Sequence, residues 1–219
     1  MPEGRLYRVP NGIGVETAAQ FSLNPITAYA LLDELNLHAG DWIAVNAATS
    51  SVARLVAGLA HRRGINMLGL VRHETIESLA FPTLTLDGAE VAAAALALSN
   101  GRPFAGFLDS IGGATIKNML PALRQGATIL SFGLLGKMPV ELFNADMIFR
   151  NLSWRGFGLD HWLSTTHDRN LAIIDDVWRA IQEGDVLLPV RARHGFNEVA
   201  VALDDASSNG KAGKVLLIG

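Results

Sequence analysis

The chain has 219 residues, 49% of them hydrophobic and 18% charged, enough apolar mass for a sizeable core and too little charge for a long disordered stretch. A formal charge of −3 with scattered Lys and Arg leaves no basic stripe for a phosphate backbone, which excludes nucleic acid as an expected partner. Without cysteine there is no disulfide, thiolate zinc site or cysteine nucleophile, and without an export signal or a long uncharged apolar run the expectation is a cytoplasmic protein outside the membrane.

In chain order, residues 6–9 read as a short extended piece, followed by Pro10-Asn11-Gly12 and a small helix. Residues 24–35 read as a longer helix with Pro25 in its first turn, where a missing N–H costs nothing. From Asp41 to Phe132 the pattern changes to repeated units of strand, turn and helix. The strands are short continuous apolar runs, as expected of a parallel sheet covered on both faces. Trp42-Ile43-Ala44-Val45 is the first, followed by a polar turn over 46–51 and a helix over 52–63 that Gly64 is placed to cap. The second strand covers 66–71, and an Ala-rich helix follows over 88–99. The third covers 105–108 and closes with Asp109-Ser110-Ile111-Gly112-Gly113; a helix over 114–123 leads to a strand over 127–132 ending at Gly133. Right-handed crossovers between parallel strands make this order a doubly wound, Rossmann-type α/β sheet. Residues 151–157 read as an edge strand able to expose Trp154 and Phe157. Helices over 168–183 and 198–206 and a last strand over 214–218 complete the chain.

The turn after the first strand is where such a sheet brings backbone amides and a helix N-terminus against a dinucleotide's diphosphate. Here the G-x-G-x-x-G spacing falls on Ala47, Ser50 and Ala53, with no glycine at any of the three. Ala53 is small enough for close packing of helix on strand, and Thr49, Ser50 and Ser51 retain amides and hydroxyls that can donate. The same three residues also read as an N-cap cluster with no ligand. At the end of the second strand stands Arg72, where an acidic residue would accept from a ribose 2′-hydroxyl and an arginine accommodates a 2′-phosphate. Arg72 therefore points to NADP(H), with a solvated surface arginine as the plain alternative, and Glu74 counts against it as a carboxylate able to accept from a ribose.

The six histidines show no metal-binding spacing, and there is no G-x-S-x-G elbow around Ser110. Gly133-Leu134-Leu135-Gly136-Lys137 fails the phosphate-loop count, and the four tryptophans are expected in the core or an interface.

Asn24-Pro25-Ile26-Thr27-Ala28-Tyr29, Leu37-His38-Ala39-Gly40-Asp41, Val45-Asn46-Ala47, Asp109-Ser110-Ile111-Gly112-Gly113, Ser131-Phe132-Gly133, Trp154-Arg155-Gly156-Phe157 and Gly213-Lys214-Val215-Leu216-Leu217 occur in an order that resembles the medium-chain dehydrogenase/reductase superfamily. Within it the chain is most similar to the zinc-free trans-2-enoyl thioester reductases, with the quinone oxidoreductases next. The resemblance implies hydride transfer from NADPH to an activated double bond of a 2-enoyl thioester or to a quinone, in a homodimer joined through the edge strand at 151–157. It implies that Asn24 and Thr27 lie near the nicotinamide end and that Asn46, Thr49, Ser50, Ser51 and Val52 lie at the diphosphate. Arg72 and His73 would face the 2′-phosphate; Phe132, Gly133, Leu134, Leu135, Phe157, Gly158 and Leu159 would line the nicotinamide; Lys214 would add a charge. Gly158 departs from a bulky aromatic common in these reductases, which implies a looser pocket.

The resemblance divides the chain into 1–23, a remnant of a barrel-like catalytic domain, 24–160, the NADP-binding domain, and 161–219, helices and a strand returning to the catalytic side. The rest of that catalytic domain, with its proton-donating tyrosine, is expected to be absent, and neither Tyr7 nor Tyr29 is assigned that part. An NADP(H)-binding module that needs a further domain or a partner chain for turnover is the alternative. A methyltransferase is the weakest reading, because its glycine-rich turn and the acidic residue after its second strand are both lacking.

Overall fold

In the computed structural model the described residues are 7–73, 79–86, 90–166, 169–208 and 213–219. Expectations placed on Leu6, Glu74, His167 and the helix starts at Gly88 and Asp168 lie outside them.

Six parallel strands form the central sheet: β1 (Trp42–Val45), β2 (Asn66–Val71), β3 (Thr83–Thr85), β4 (Phe104–Asp109), β5 (Leu123–Ser131) and β6 (Ser153–Gly156). Their order is β3-β2-β1-β4-β5-β6, so the winding reverses between β1 and β4 and opens a crevice at the carboxyl ends of those two strands. Successive strand residues serve opposite faces, which explains the continuous apolar runs. Ile43, Val45, Leu108 and Leu130 belong to one core cluster, Ala44, Phe107 and Ile129 to the other.

The first core cluster lies against α2 (Asn24–Glu34) and α3 (Ser51–Arg62). Helix α3 presents Ala53, Val56 and Ala60 with Leu55 and Leu59 to it, the spacing of one helical stripe. Its C-terminus closes as expected: Gly64 has φ +68° and Ile65 N–H donates to Ala60 O at 2.8 Å. On the opposite face lie α4 (Val91–Leu98) and α5 (Ala114–Met119).

A third cluster joins the N-terminal piece, with α1 (Val15–Ala18), to α7 (Leu159–Thr165) and α8 (Asn170–Gln182). Phe21 stacks on Trp178 there with ring centroids 3.6 Å apart. A separate parallel pair, β7 (Val190–Gly195) and β8 (Lys214–Ile218), is bridged by α9 (Val199–Ser207). Helix α6 (Asn144–Phe149) precedes β6.

Several expectations need correction. The helix expected over 114–123 stops at Met119, where Pro121 allows only a short 3₁₀ turn, and β5 starts at Leu123 by pairing with Phe104. β3 went unread because it has three residues; β7 went unread because Arg191, Arg193 and His194 interrupt its apolar pattern. Phe157 is part-buried against the first and third clusters, and Trp154 is the exposed one of the pair, at 40%.

Candidate dinucleotide site

At the carboxyl end of β1 the chain turns through Ala47, which holds φ +48°, a conformation unfavourable for a residue with a Cβ. Ala48 is buried and lies close under β2: a Cβ on Gly69 would come within 2.6 Å of the Ala48 Cβ. Ser50 is the N-cap of α3, its Oγ accepting from Ala53 N–H at 3.2 Å. The capping reading of Ser50 is therefore correct, and it engages one of the amides that a helix N-terminus offers an anion. No acidic residue occupies the first turn of α3; Arg54 does, a cation where the helix dipole disfavours one. Its Nε donates to Thr49 O at 3.2 Å.

Asn24, Thr49, Ser51 and Lys214 line one cleft of about 280 Å³, together with Gln20 and Arg54. They come from the start of α2, the turn after β1 and the start of β8. Gln20 ties the cleft wall across the chain, its Nε2 donating to Leu188 O at 3.0 Å. The positive end of α3, two cations and hydroxyl donors give this cleft the chemistry of an anion site, which fits the diphosphate of a dinucleotide.

Beside it, the end of the sheet carries a buried polar group that the sequence reading placed only in part. Asn46 is fully buried; its Nδ2 donates to Asp109 Oδ1 at 2.5 Å across the β1–β4 switch point, and its Oδ1 accepts from Ser110 N–H at 2.8 Å. Asp109 and Ser131 carried no expected role beyond their motifs, and the signal that could have found Asp109 is a carboxylate closing an otherwise apolar strand.

The remaining expected residues are spread along the same carboxyl edge. Thr27 is buried in the first turns of α2, and Val52 packs against the first cluster. Arg72 and His73 are exposed at the end of β2, outside the cleft. Phe132 is part-buried against the first cluster, and Leu134 and Leu135 are exposed on the following loop. Gly133 is small because Ser110 lies 3.0 Å from where its Cβ would be. Leu159 packs into the third cluster, and Gly158 has open space where a side chain would stand.

The two tyrosines pack against other side chains. Tyr7 packs edge-on against Phe21 at 5.6 Å. Tyr29 lies under the Arg63 guanidinium at 4.3 Å, about 18 Å along α3 from Ser51 at 1.5 Å per residue. Burial pushes its phenol above the ordinary value, against the pull of Arg63.

The family described as zinc-binding dehydrogenase matches residues 84–217. The mitochondrial enoyl-[acyl-carrier-protein] reductase of Arabidopsis thaliana is 30% identical over 218 residues, 95% of this chain and 58% of that protein. A quinone oxidoreductase from Pseudomonas syringae pv. Tomato superposes over all of this chain and 69% of its own, with TM-score 0.81 and 21% identity. A mycobacterial protein complexed with NADPH superposes over 97% and 68%, with TM-score 0.81 and 21% identity; both likenesses speak to the fold. The chain spans less than two thirds of the length of the first curated relatives it matches. The sequence has no cysteine, and among the described residues no group of three His, Asp or Glu side chains is placed to hold a metal.

Proposed function

From the premise that the chain belongs to the zinc-binding dehydrogenase family of medium-chain dehydrogenases/reductases, we propose that it is the NADP(H)-binding part of a zinc-free oxidoreductase acting on the double bond of a 2-enoyl thioester or on a quinone. The observation that carries this is the cleft in which Thr49, Ser51, Arg54 and Lys214 meet at the N-terminus of α3. Bound NADPH supplies the hydride. The chain's own residues bind and orient: Thr49 and Ser51 donate to the diphosphate, Arg54 and Lys214 offset its charge, and Asn24 sits at the rim. Arg72, with His73 beside it, meets the 2′-phosphate at the end of β2, next to β1 in the sheet. The loop carrying Phe132, Gly133, Leu134 and Leu135 and the segment Phe157, Gly158 and Leu159 shelter the nicotinamide from water, with open space at Gly158.

Calorimetric titration with NADPH and NADH tests this, alongside NADPH oxidation with a crotonyl thioester and a naphthoquinone. We expect NADPH to bind at least tenfold more tightly than NADH, and Arg72→Ala to remove the preference, since one charge-assisted hydrogen bond is worth about 1.5–3 kcal/mol. No heat with either nucleotide overturns the assignment. Binding without turnover selects the cofactor-binding module.

We also propose a homodimer through β6, whose four residues are exposed at the sheet edge, with Phe143, Ile148 and Phe149 exposed in the segment that precedes it. A monomeric mass by light scattering at micromolar concentration removes it.

A further inference from the structure

A line of hydrogen bonds runs from the open edge of the sheet to its switch point. Trp154 Nε1 on β6 donates to Ser131 Oγ at 2.9 Å, and Ser131 Oγ donates to Asp109 Oδ2 at 3.0 Å. Asp109 Oδ1 accepts from Asn46 Nδ2 at 2.5 Å and from the amides of Ile111 and Gly112 at 3.2 and 2.9 Å. Asn46 Oδ1 accepts from Ser110 N–H at 2.8 Å and from Ser110 Oγ at 3.2 Å.

The direction of every bond is fixed by chemistry. An indole N–H only donates and a carboxylate only accepts, so the single proton of Ser131 must point to Asp109 and its lone pair to Trp154. The same constraint turns the amide of Asn46 so that its nitrogen faces Asp109 and its oxygen faces Ser110. At its far end the line holds the 110–112 turn, and that turn holds the next loop. Ser110 O accepts from Leu135 N–H at 2.9 Å and Ile111 O from Gly136 N–H at 3.0 Å. Just before them Gly133 lies tight against Ser110, whose O stands 3.0 Å from where a Cβ would be.

We infer that Trp154 is a positioning residue: acting through Ser131, Asp109 and Asn46, its indole N–H sets the 110–112 turn and with it the 132–136 loop against the nicotinamide half of the cofactor. The inference rests on the dinucleotide reading for the identity of that ligand, but the relay itself does not. Trp154 is more exposed than Ser131, Asp109 or Asn46, at 40%, so whatever covers β6 removes water that competes for its first bond.

The test compares the full chain with Trp154→Phe, which keeps the ring and removes the N–H, and with Ser131→Ala, which breaks the same bond from the other side. Amide hydrogen exchange is measured without ligand, and affinity is measured for NADPH and for 2′,5′-ADP, which lacks the nicotinamide. We expect the amides of Ser110, Ile111 and Gly112 to exchange about fivefold faster in both variants, the worth of one net hydrogen bond, while those of β1 and β2 are unchanged. NADPH affinity should fall by a similar factor and 2′,5′-ADP affinity should hold. Unchanged exchange at 110–112, or faster exchange across β1 and β2 as well, overturns the relay whether or not NADPH binds. Equal losses for the two ligands overturn the positioning role. If the wild-type chain takes up no NADPH, the functional reading falls and the positioning role with it, while the exchange data still decide the relay.

Discussion

Ala47→Gly isolates the question that the site poses, namely whether a turn without glycine obstructs a diphosphate. Ala47 sits at φ +48°, which costs a residue with a Cβ about 1–2 kcal/mol. Glycine removes that cost but adds about 0.4–1 kcal/mol of backbone entropy in the unfolded chain. The net stabilisation is about 0.5 kcal/mol, a rise in Tm of about 1–2 °C for a chain of this length. The Ser50 N–H to Ala47 O bond at 2.8 Å closes the turn through backbone atoms alone and should survive the change. Without the Cβ a phosphate can approach the turn amides, and one added hydrogen bond to a charged group, about 1.5–3 kcal/mol, tightens NADPH about tenfold or more. Differential scanning calorimetry and a titration on the same sample measure both effects. A fall in Tm would show that the left-handed turn is not strained; a rise in Tm with unchanged affinity would show that the Ala47 Cβ is not the obstacle.

Gly58→Ala reverses the sign that helix propensity suggests. In the middle of α3 alanine should add about 1 kcal/mol, but its Cβ would stand 2.0 Å from Asp185 O. Moving that backbone disturbs the Arg62–Asp185 ion pair at 2.7 Å and the Val186 N–H to Ala180 O bond at 3.1 Å, so we expect a net loss of about 2 kcal/mol and a Tm lower by about 4–8 °C. Glu16 links α1 to β7 through Arg193 at 2.5 and 2.7 Å, and the guanidinium hydrogen bond holds its carboxyl below the ordinary 4.5. Its contribution is complete above that unfolded-state value and is lost as pH falls through the lower folded-state one. Melting curves from pH 6 to pH 3 should therefore converge for wild type and Glu16→Gln in acid, and parallel curves would count against the pairing.

The residues themselves determined the sheet. β1, β2 and β4 are buried on both faces, so their local composition alone announces them, and parallel strands of this kind require crossovers that leave few topologies. The polar turn after β1 was legible for the same reason, as the break between a buried strand and an amphipathic helix. Folding decided what lies far apart in the chain: Lys214 beside Thr49 in one cleft, and Asn46 bonded to Asp109 from 63 residues away. It also decided the meaning of Gly58, which is a poor helix residue until the Asp185 carbonyl is placed against it. β3 and β7 were decided the same way, since short or charged strands bury too little to be recognised before a neighbour pairs with them. Local burial writes itself into the order of residues; proximity across the fold depends on how the layers meet, and no local pattern carries it.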